Sequence, residues 1–281
     1  MTSTPPAKRF NWRNLGIRAA TAAVLIPAVV GVVFAGGPLF LLLVVIAVAL
    51  LSYEWGAMCA PRTPIRVALG VGAPVMLAVG LAYAGRNLWA WSAVLLGAAL
   101  CAFVAKGRLE RRADAAYGVI YIAPACVSLI WIRNEADGVF WTLLAFAVSW
   151  AADSAAFATG SVLKGPKLWP RFSPNKTWSG FFGGLVAAAA AGAAMAMIAA
   201  ASPFIDARII PPAAALVGLL GGLATMAGDL WESAIKRRFG VKDSGDLIPG
   251  HGGLLDRVDG FLFCVIVIAV ARLVDHLGWG H

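Results

Sequence analysis

Charge is scarce in this 281-residue sequence: Asp, Glu, Lys and Arg make up 13% of it, against about 25% in soluble domains. So few charges cannot clothe a water-facing surface. With 60% hydrophobic residues and a mean hydropathy of +0.81, the composition is that of an integral membrane protein. Cysteine is rare too. Cys59, Cys101, Cys126 and Cys264 lie within or at the end of apolar runs and lack metal-type spacing, which excludes a zinc module and a disulfide framework and leaves them as packing residues. Histidine is scarce as well: of three, His276 and His281 fall at the far side, away from His251. Acidic residues number 14 against 23 basic ones, a net charge of +9. The basic residues are scattered over five short loops between apolar runs, so they suit anionic headgroups and phosphate substrates and exclude a nucleic-acid surface. No internal repeat of the transporter kind is found. A small-residue cleavage site is also missing after the first apolar run, which reads as a retained helix.

What is present is hydrocarbon-length sequence. Nine apolar runs, at about 16–34, 38–57, 66–84, 88–105, 116–132, 138–160, 180–201, 209–231 and 258–277, are long enough to cross roughly 30 Å of lipid as helices. Placing the N-terminus in the cytoplasm leaves only Arg86, Arg133, Arg208 and Arg272 of the 23 basic residues on the far side. That asymmetry is the one cytoplasmic loops show. The expected fold is therefore all-α and polytopic, with about nine transmembrane helices and the C-terminus outside. Residues 1–135 form an N-terminal region of about five spans. Residues 136–281 form a C-terminal region of about four spans with two long cytoplasmic loops. The Ala run at 187–190 and the Gly-Gly pairs beginning at Gly183 and Gly221 suggest closely packed helices.

The two long loops carry the chemistry. One contains Lys164-Gly-Pro-Lys-Leu-Trp-Pro-Arg-Phe-Ser-Pro-Asn-Lys-Thr-Trp-Ser-Gly180, and the other runs from Lys236 to Gly260. Gly, Pro, Ser and Asn build turns whose backbone N–H groups can bind anions, and the interleaved Lys and Arg suit phosphates. A solvated basic loop that only sets topology would explain neither the carboxylates nor the glycines around them. Acids in or beside spans are costly and face polar cavities or partners. Asp153 lies near the cytoplasmic end of the sixth span, Asp229 and Glu232 at that of the eighth, and Asp256 and Asp259 open the ninth on one helix face. Asp oxygens converging with no Cys and little His select a hard cation, and beside phosphate ligands that cation is most often Mg²⁺. His251 stands in Pro249-Gly-His-Gly-Gly253, where glycines permit a tight turn and close backbone approach to a ligand.

The run Ser233-x2-Lys236-Arg237-x4-Lys242-Asp243-x-Gly245-x2-Ile248-Pro249-x-His251-Gly252-Gly253-x-Leu255-Asp256-Arg257-Val258-Asp259 closely resembles the signature of phosphatidate cytidylyltransferases, also called CDP-diacylglycerol synthases. Asp153-Ser-Ala-Ala-Phe157 and Ser173-Pro-Asn-Lys-Thr177 resemble that family's second block. Phe157 stands where the family often has Tyr, and Ser179 where it often has an acid. The resemblance implies transfer of a cytidylyl group from CTP to phosphatidate, giving CDP-diacylglycerol and pyrophosphate for phospholipid synthesis. It implies Asp256 and Asp259 as metal ligands, with Asp229 a ligand or its partner. Lys236, Arg237, Lys242 and Lys176 become phosphate contacts, His251 orients a phosphate oxygen, and Ser173, Asn175 and Asp153 bind substrate. Mg²⁺, a monovalent cation such as K⁺ beside it, a homodimer and a multi-pass place in the inner (cytoplasmic) membrane, among its lipids, follow from the same resemblance. Two rivals share some of these features. A transporter would also bury acids, though near the midplane; a CTP-dependent polyprenol kinase would also need Mg²⁺ and basic residues, without so long a signature. The Asp-Gly-x2-Ala-Arg constellation of CDP-alcohol phosphotransferases is not found.

Overall fold

A backbone surrounded by hydrocarbon must satisfy its own N–H and C=O groups, and the apolar runs do so as helices. The computed structural model describes residues 12–105, 111–207, 209–245 and 252–277, with the side chains of 12–22 and 104 excepted. Among these, nine helices follow in order: α1 Trp12–Ala35, α2 Gly37–Cys59, α3 Pro64–Tyr83, α4 Asn87–Val104, α5 Arg112–Asn134, α6 Gly138–Leu163, α7 Trp178–Ala201, α8 Pro211–Arg238 and α9 Leu255–His276. Six of them, α2, α3, α5, α6, α7 and α8, are long and apolar enough to cross a membrane by length and composition. The chain is thus an all-α, multi-pass membrane protein. Its helices expose leucine and valine outward, as at Leu95, Leu96 and Val186.

Starts and stops follow local chemistry. Proline occupies the first turn of α2, α3 and α8, where its missing N–H leaves no helical bond unmade. Thr177 caps α7, its hydroxyl accepting from the Gly180 N–H. Two elements depart from the sequence expectation. Helix α8 continues to Arg238, seven residues past the expected end of the apolar run, so Lys236 and Arg237 belong to its last turn rather than to a loop. Basic side chains suit that helix end, and Glu232 lies one turn before Lys236. The loop after α6 is not wholly irregular either: Lys167–Trp169 (β1) and Ser173–Thr177 (β2) form a small antiparallel hairpin, with Trp169 and Phe172 edge to face at its tip.

Small residues bring the C-terminal helices together. A methyl added at Gly160 would come within 2.9 Å of the Thr177 hydroxyl on the hairpin, and one at Gly184 within 2.9 Å of the Ala152 carbonyl of α6. Helix α8 crosses α9 where Gly228 faces the Asp259 carbonyl and Gly260 faces Thr225. One apolar core lies among α2 to α5 and reaches Leu255 and Leu262 of α9. A second joins α6, α7, α8 and α9 around Trp141, Leu144 and Ile268. At one end of the bundle the C-terminal parts of α2, α6 and α8 meet the N-terminal parts of α5, α7 and α9. At the other, Arg272 pairs with Asp137, and Arg133 donates to the Val33 carbonyl.

Candidate active site

The first of those ends carries the polar residues singled out in the sequence. A cavity of about 880 Å³ opens there, lined by Asp153, Asn175, Lys176, Asp229, Asp256 and Asp259. Apolar side chains line it too, among them Leu25, Ile26 and Val29 of α1, Trp150 and Phe157 of α6 and Phe181 of α7. One cavity therefore meets both charged and hydrocarbon chemistry.

Each polar group has an identifiable support. Lys176, on β2, forms an ion pair with Asp229 of α8, so the hairpin delivers a cation to a carboxylate over fifty residues away. Lys236 Nζ lies 2.6 Å from Asp256 Oδ1 and 3.4 Å from Glu232 Oε1. The other oxygen of Asp256 accepts from the backbone N–H groups of Ser244, at 2.9 Å, and Gly253, at 3.3 Å. Asp259, though only three residues from Asp256, has different company. It is buried, accepts from the Gly260 N–H at 2.8 Å and interacts electrostatically with Asp229 and Glu232.

Glu232 is fully buried, and neither of its oxygens has a hydrogen-bond partner among the described residues. Its nearest cation is Lys236, ion-paired to Oε1 at 3.4 Å, which leaves carboxylate lone pairs for a further cation. The acids near it, Asp229, Asp256 and Asp259, offer carboxylate oxygens, the ligand type a hard cation such as Mg²⁺ prefers. Among the described residues no three His, Cys, Asp or Glu side chains form a ready-made ligand set. Lys176 and Lys236 supply the positive charge beside Asp229 and Asp256 instead. The chemistry of these carboxylates, with Glu232 oxygens that make no hydrogen bond among the described residues, fits a hard cation.

Several expected residues stand apart. Ser173 pairs with Trp169 across the hairpin and does not line the cavity. Arg237 is exposed and donates to the Val241 carbonyl, and Lys242 is exposed outside the cavity wall. His251 and Arg208 lie outside the described residues. Phe157 lines the cavity, and the Ser179 hydroxyl donates to the Lys164 carbonyl.

The sequence reading missed Glu54. This residue, in α2, is 1% exposed; its Oε1 accepts from the Leu254 N–H at 2.7 Å and its Oε2 from the Leu255 N–H at 2.6 Å and the Ser244 hydroxyl at 3.2 Å. The available signal was an acid inside an otherwise apolar run, Leu51-Ser-Tyr-Glu-Trp55. Next to it Trp55 stacks on Tyr121, at 5.5 Å between ring centres, and donates to the Asp114 carbonyl.

Comparison with known proteins adds an independent line. The model of the Cytidylyltransferase family matches residues 16–274. The chain is 37% identical over 250 residues to the phosphatidate cytidylyltransferase of Brucella suis biovar 1 (strain 1330), covering 89% of this chain and 90% of that protein. It is 36% identical over the same length to the enzyme of that name from Brucella abortus biovar 1 (strain 9-941). Against the Staphylococcus saprophyticus protein of that name it is 36% identical over 158 residues, 56% of this chain and 58% of that one. A match that runs through all nine helices, together with a charged cavity at one end of them, shows that the chain belongs to the cytidylyltransferase family.

Proposed function

We propose that this chain is a phosphatidate cytidylyltransferase: a nucleotidyltransferase that moves the cytidylyl group of CTP onto phosphatidate, forming CDP-diacylglycerol and pyrophosphate. The observation that carries the reading is the mixed lining of the cavity, where Lys176 and four aspartates stand together with apolar side chains of α1, α6 and α7. A reaction between a water-soluble nucleotide and a membrane lipid needs such a boundary site. The relatives named for this activity support the same assignment.

The chemistry is an attack of a phosphatidate oxygen on the α-phosphorus of CTP, with a P–O bond formed to the lipid phosphate and another broken to release pyrophosphate. The phosphomonoester already carries a nucleophilic oxyanion near neutral pH, so the residues need not supply a strong base. Their task is to gather two anions and balance the charge that develops on the leaving group. Lys176 and Lys236 are the ammonium groups closest to the carboxylates of the site and would turn to phosphate oxygens as substrates enter. Asp229, Asp256 and Asp259 would hold Mg²⁺, with Glu232 beside them, and such an ion neutralises phosphate charge. A monovalent cation beside it, a homodimer, a cytoplasmic orientation of this end and residence in the inner membrane belong to the same proposal. Their support is the family resemblance and the skewed distribution of basic residues.

The test is direct. Purified protein in detergent, given labelled CTP, Mg²⁺ and phosphatidate, is expected to yield CDP-diacylglycerol, and folded Asp259→Ala protein to yield less than about a hundredth as much. Phosphorylated polyprenol in place of a cytidylyl lipid would overturn the reading.

A further inference from the structure

Helix α9 brings Asp256 and Asp259 to the cavity, yet its own sequence provides no cap: Leu254 stands at the N-cap, with no side-chain hydrogen bond. The first N–H groups of a helix lack partners within it. Here the partner arrives from a helix some two hundred residues earlier. Glu54 accepts from Leu254 and Leu255 with one oxygen each, and its second oxygen also takes the Ser244 hydroxyl. A carboxylate at this position also meets the positive end of the α9 dipole.

The contact is one link from the reacting groups. Ser244, tied to Glu54 by its hydroxyl, gives its backbone N–H to Asp256 Oδ2. Gly253, which gives the second N–H to that oxygen, sits against Glu54 so closely that a methyl there would lie 3.0 Å from both Glu54 oxygens and collide with Ser244. Before it, Gly252 turns the chain at φ +81°, a conformation glycine adopts readily. On the other side Trp55, packed among Tyr117, Tyr121 and Phe239, fixes the end of α2. Glu54 thus lies between a rigid aromatic anchor and the turn that sets where α9 begins.

We propose that Glu54 is a positioning residue for the reaction: capping α9 from the N-terminal half of the chain, it fixes the start of that helix and orients Asp256 and Asp259 into the cavity. The inference rests on the cytidylyltransferase reading for its kinetic consequence, though not for the contact itself. Both Glu54 oxygens accept from N–H groups, so an amide NH₂ on either lobe would face a donor. Glutamine, equal in shape, is therefore not an equal substitute.

Two measurements test this on the full-length protein in detergent. In Glu54→Ala and Glu54→Gln, turnover is expected to fall about 10- to 100-fold, the usual loss when the support of a ligand is removed. The KM for phosphatidate is expected to change much less than turnover, because of the apolar lining only Leu254 and Val258 belong to the segment Glu54 holds, while α1, α6 and α7 supply most of the rest. Hydrogen–deuterium exchange across 252–258 is expected to accelerate while α3 and α4 keep their protection. Full activity in Glu54→Gln would reduce the residue to packing and overturn the proposal, as would unchanged exchange in Glu54→Ala. Should the Glu54 variants not fold, Ser244→Ala decides the matter, since it removes one of the three donors: faster exchange at 252–258 with lower turnover supports the proposal, and no change in either sinks it. If the unmodified protein makes no CDP-diacylglycerol, the activity reading fails, while the exchange measurement still scores the contact.

Discussion

At the scale of single residues, the ion pairs of Lys176 with Asp229 and of Lys236 with Asp256 and Glu232 define the chemistry. Lys176 and Asp229 come from different elements and both line the cavity, so a ligand that enters it meets both groups. Lys176→Ala is expected to lower turnover by at least about 100-fold, the loss typical of a removed charge-stabilising donor. If Lys176 serves phosphate, adding Asp229→Asn will not restore activity; if it merely neutralises Asp229, the double variant will recover most of it. Steady-state kinetics of the two single variants and the double variant separate these outcomes. Asp256 and Asp259 illustrate how much a spacing leaves open. Their i, i+3 interval places them on one face, yet Asp256 is held by Lys236 and two backbone N–H groups, and Asp259 is buried toward Asp229 and Glu232.

At the scale of elements, the site depends on how closely α8 and α9 approach. A methyl at Gly228 would lie 2.6 Å from the Asp259 carbonyl and 3.0 Å from Phe263, and one at Gly260 would lie 2.8 Å from the Thr225 carbonyl. Gly228→Ala is therefore expected to push the helices apart at Asp229 and Asp259, destabilising the fold by about 1–3 kcal/mol, as overpacking does, and to reduce turnover besides. Gly80→Ala, in open space on α3, is the matched control and is expected to change neither. Denaturation of both proteins in mixed detergent, with kinetics on the survivors, checks the pair. The β1–β2 hairpin has a comparable role, since it holds Asn175 and Lys176 over the cavity from between α6 and α7.

At the scale of the whole molecule, the helices alternate direction so that all the chemistry collects at one end. The N-terminal helices do more than fill membrane: α2 supplies Glu54, α5 supplies Asp114 to an ion pair with Arg238, and α1 contributes Leu25, Ile26 and Val29 to the cavity wall. A C-terminal half expressed without them is expected to lose α9's cap. The proposed orientation has its own test. With Cys59, Cys101, Cys126 and Cys264 replaced by Ala, a single cysteine at Arg171, exposed on the hairpin, is expected to react with a membrane-impermeant maleimide only from the cytoplasmic side. One at Arg86, exposed at the start of α4, is expected to react only from the opposite side. Labelling of both from one side would contradict the up-and-down order.

The sequence by itself determined the class of the molecule, the positions of its helices and the residue types of its site. Hydrocarbon length and helical backbone satisfaction are local requirements, so runs such as 38–57 and 180–201 could be read in advance of α2 and α7. The contiguous signature from Ser233 to Asp259 likewise exposed Asp256, Asp259 and Lys236 without any fold. Partnerships were not legible in this way. Whether Lys176 meets Asp229, whether Arg237 and Lys242 face the cavity and which acid caps α9 depend on crossings set by Gly228, Gly260 and Trp55, between segments as much as two hundred residues apart. Glu54 shows the limit most clearly: as sequence it is one acid in a greasy run, and only tertiary packing, which places its two oxygens on the unpaired N–H groups of α9, gives it a task.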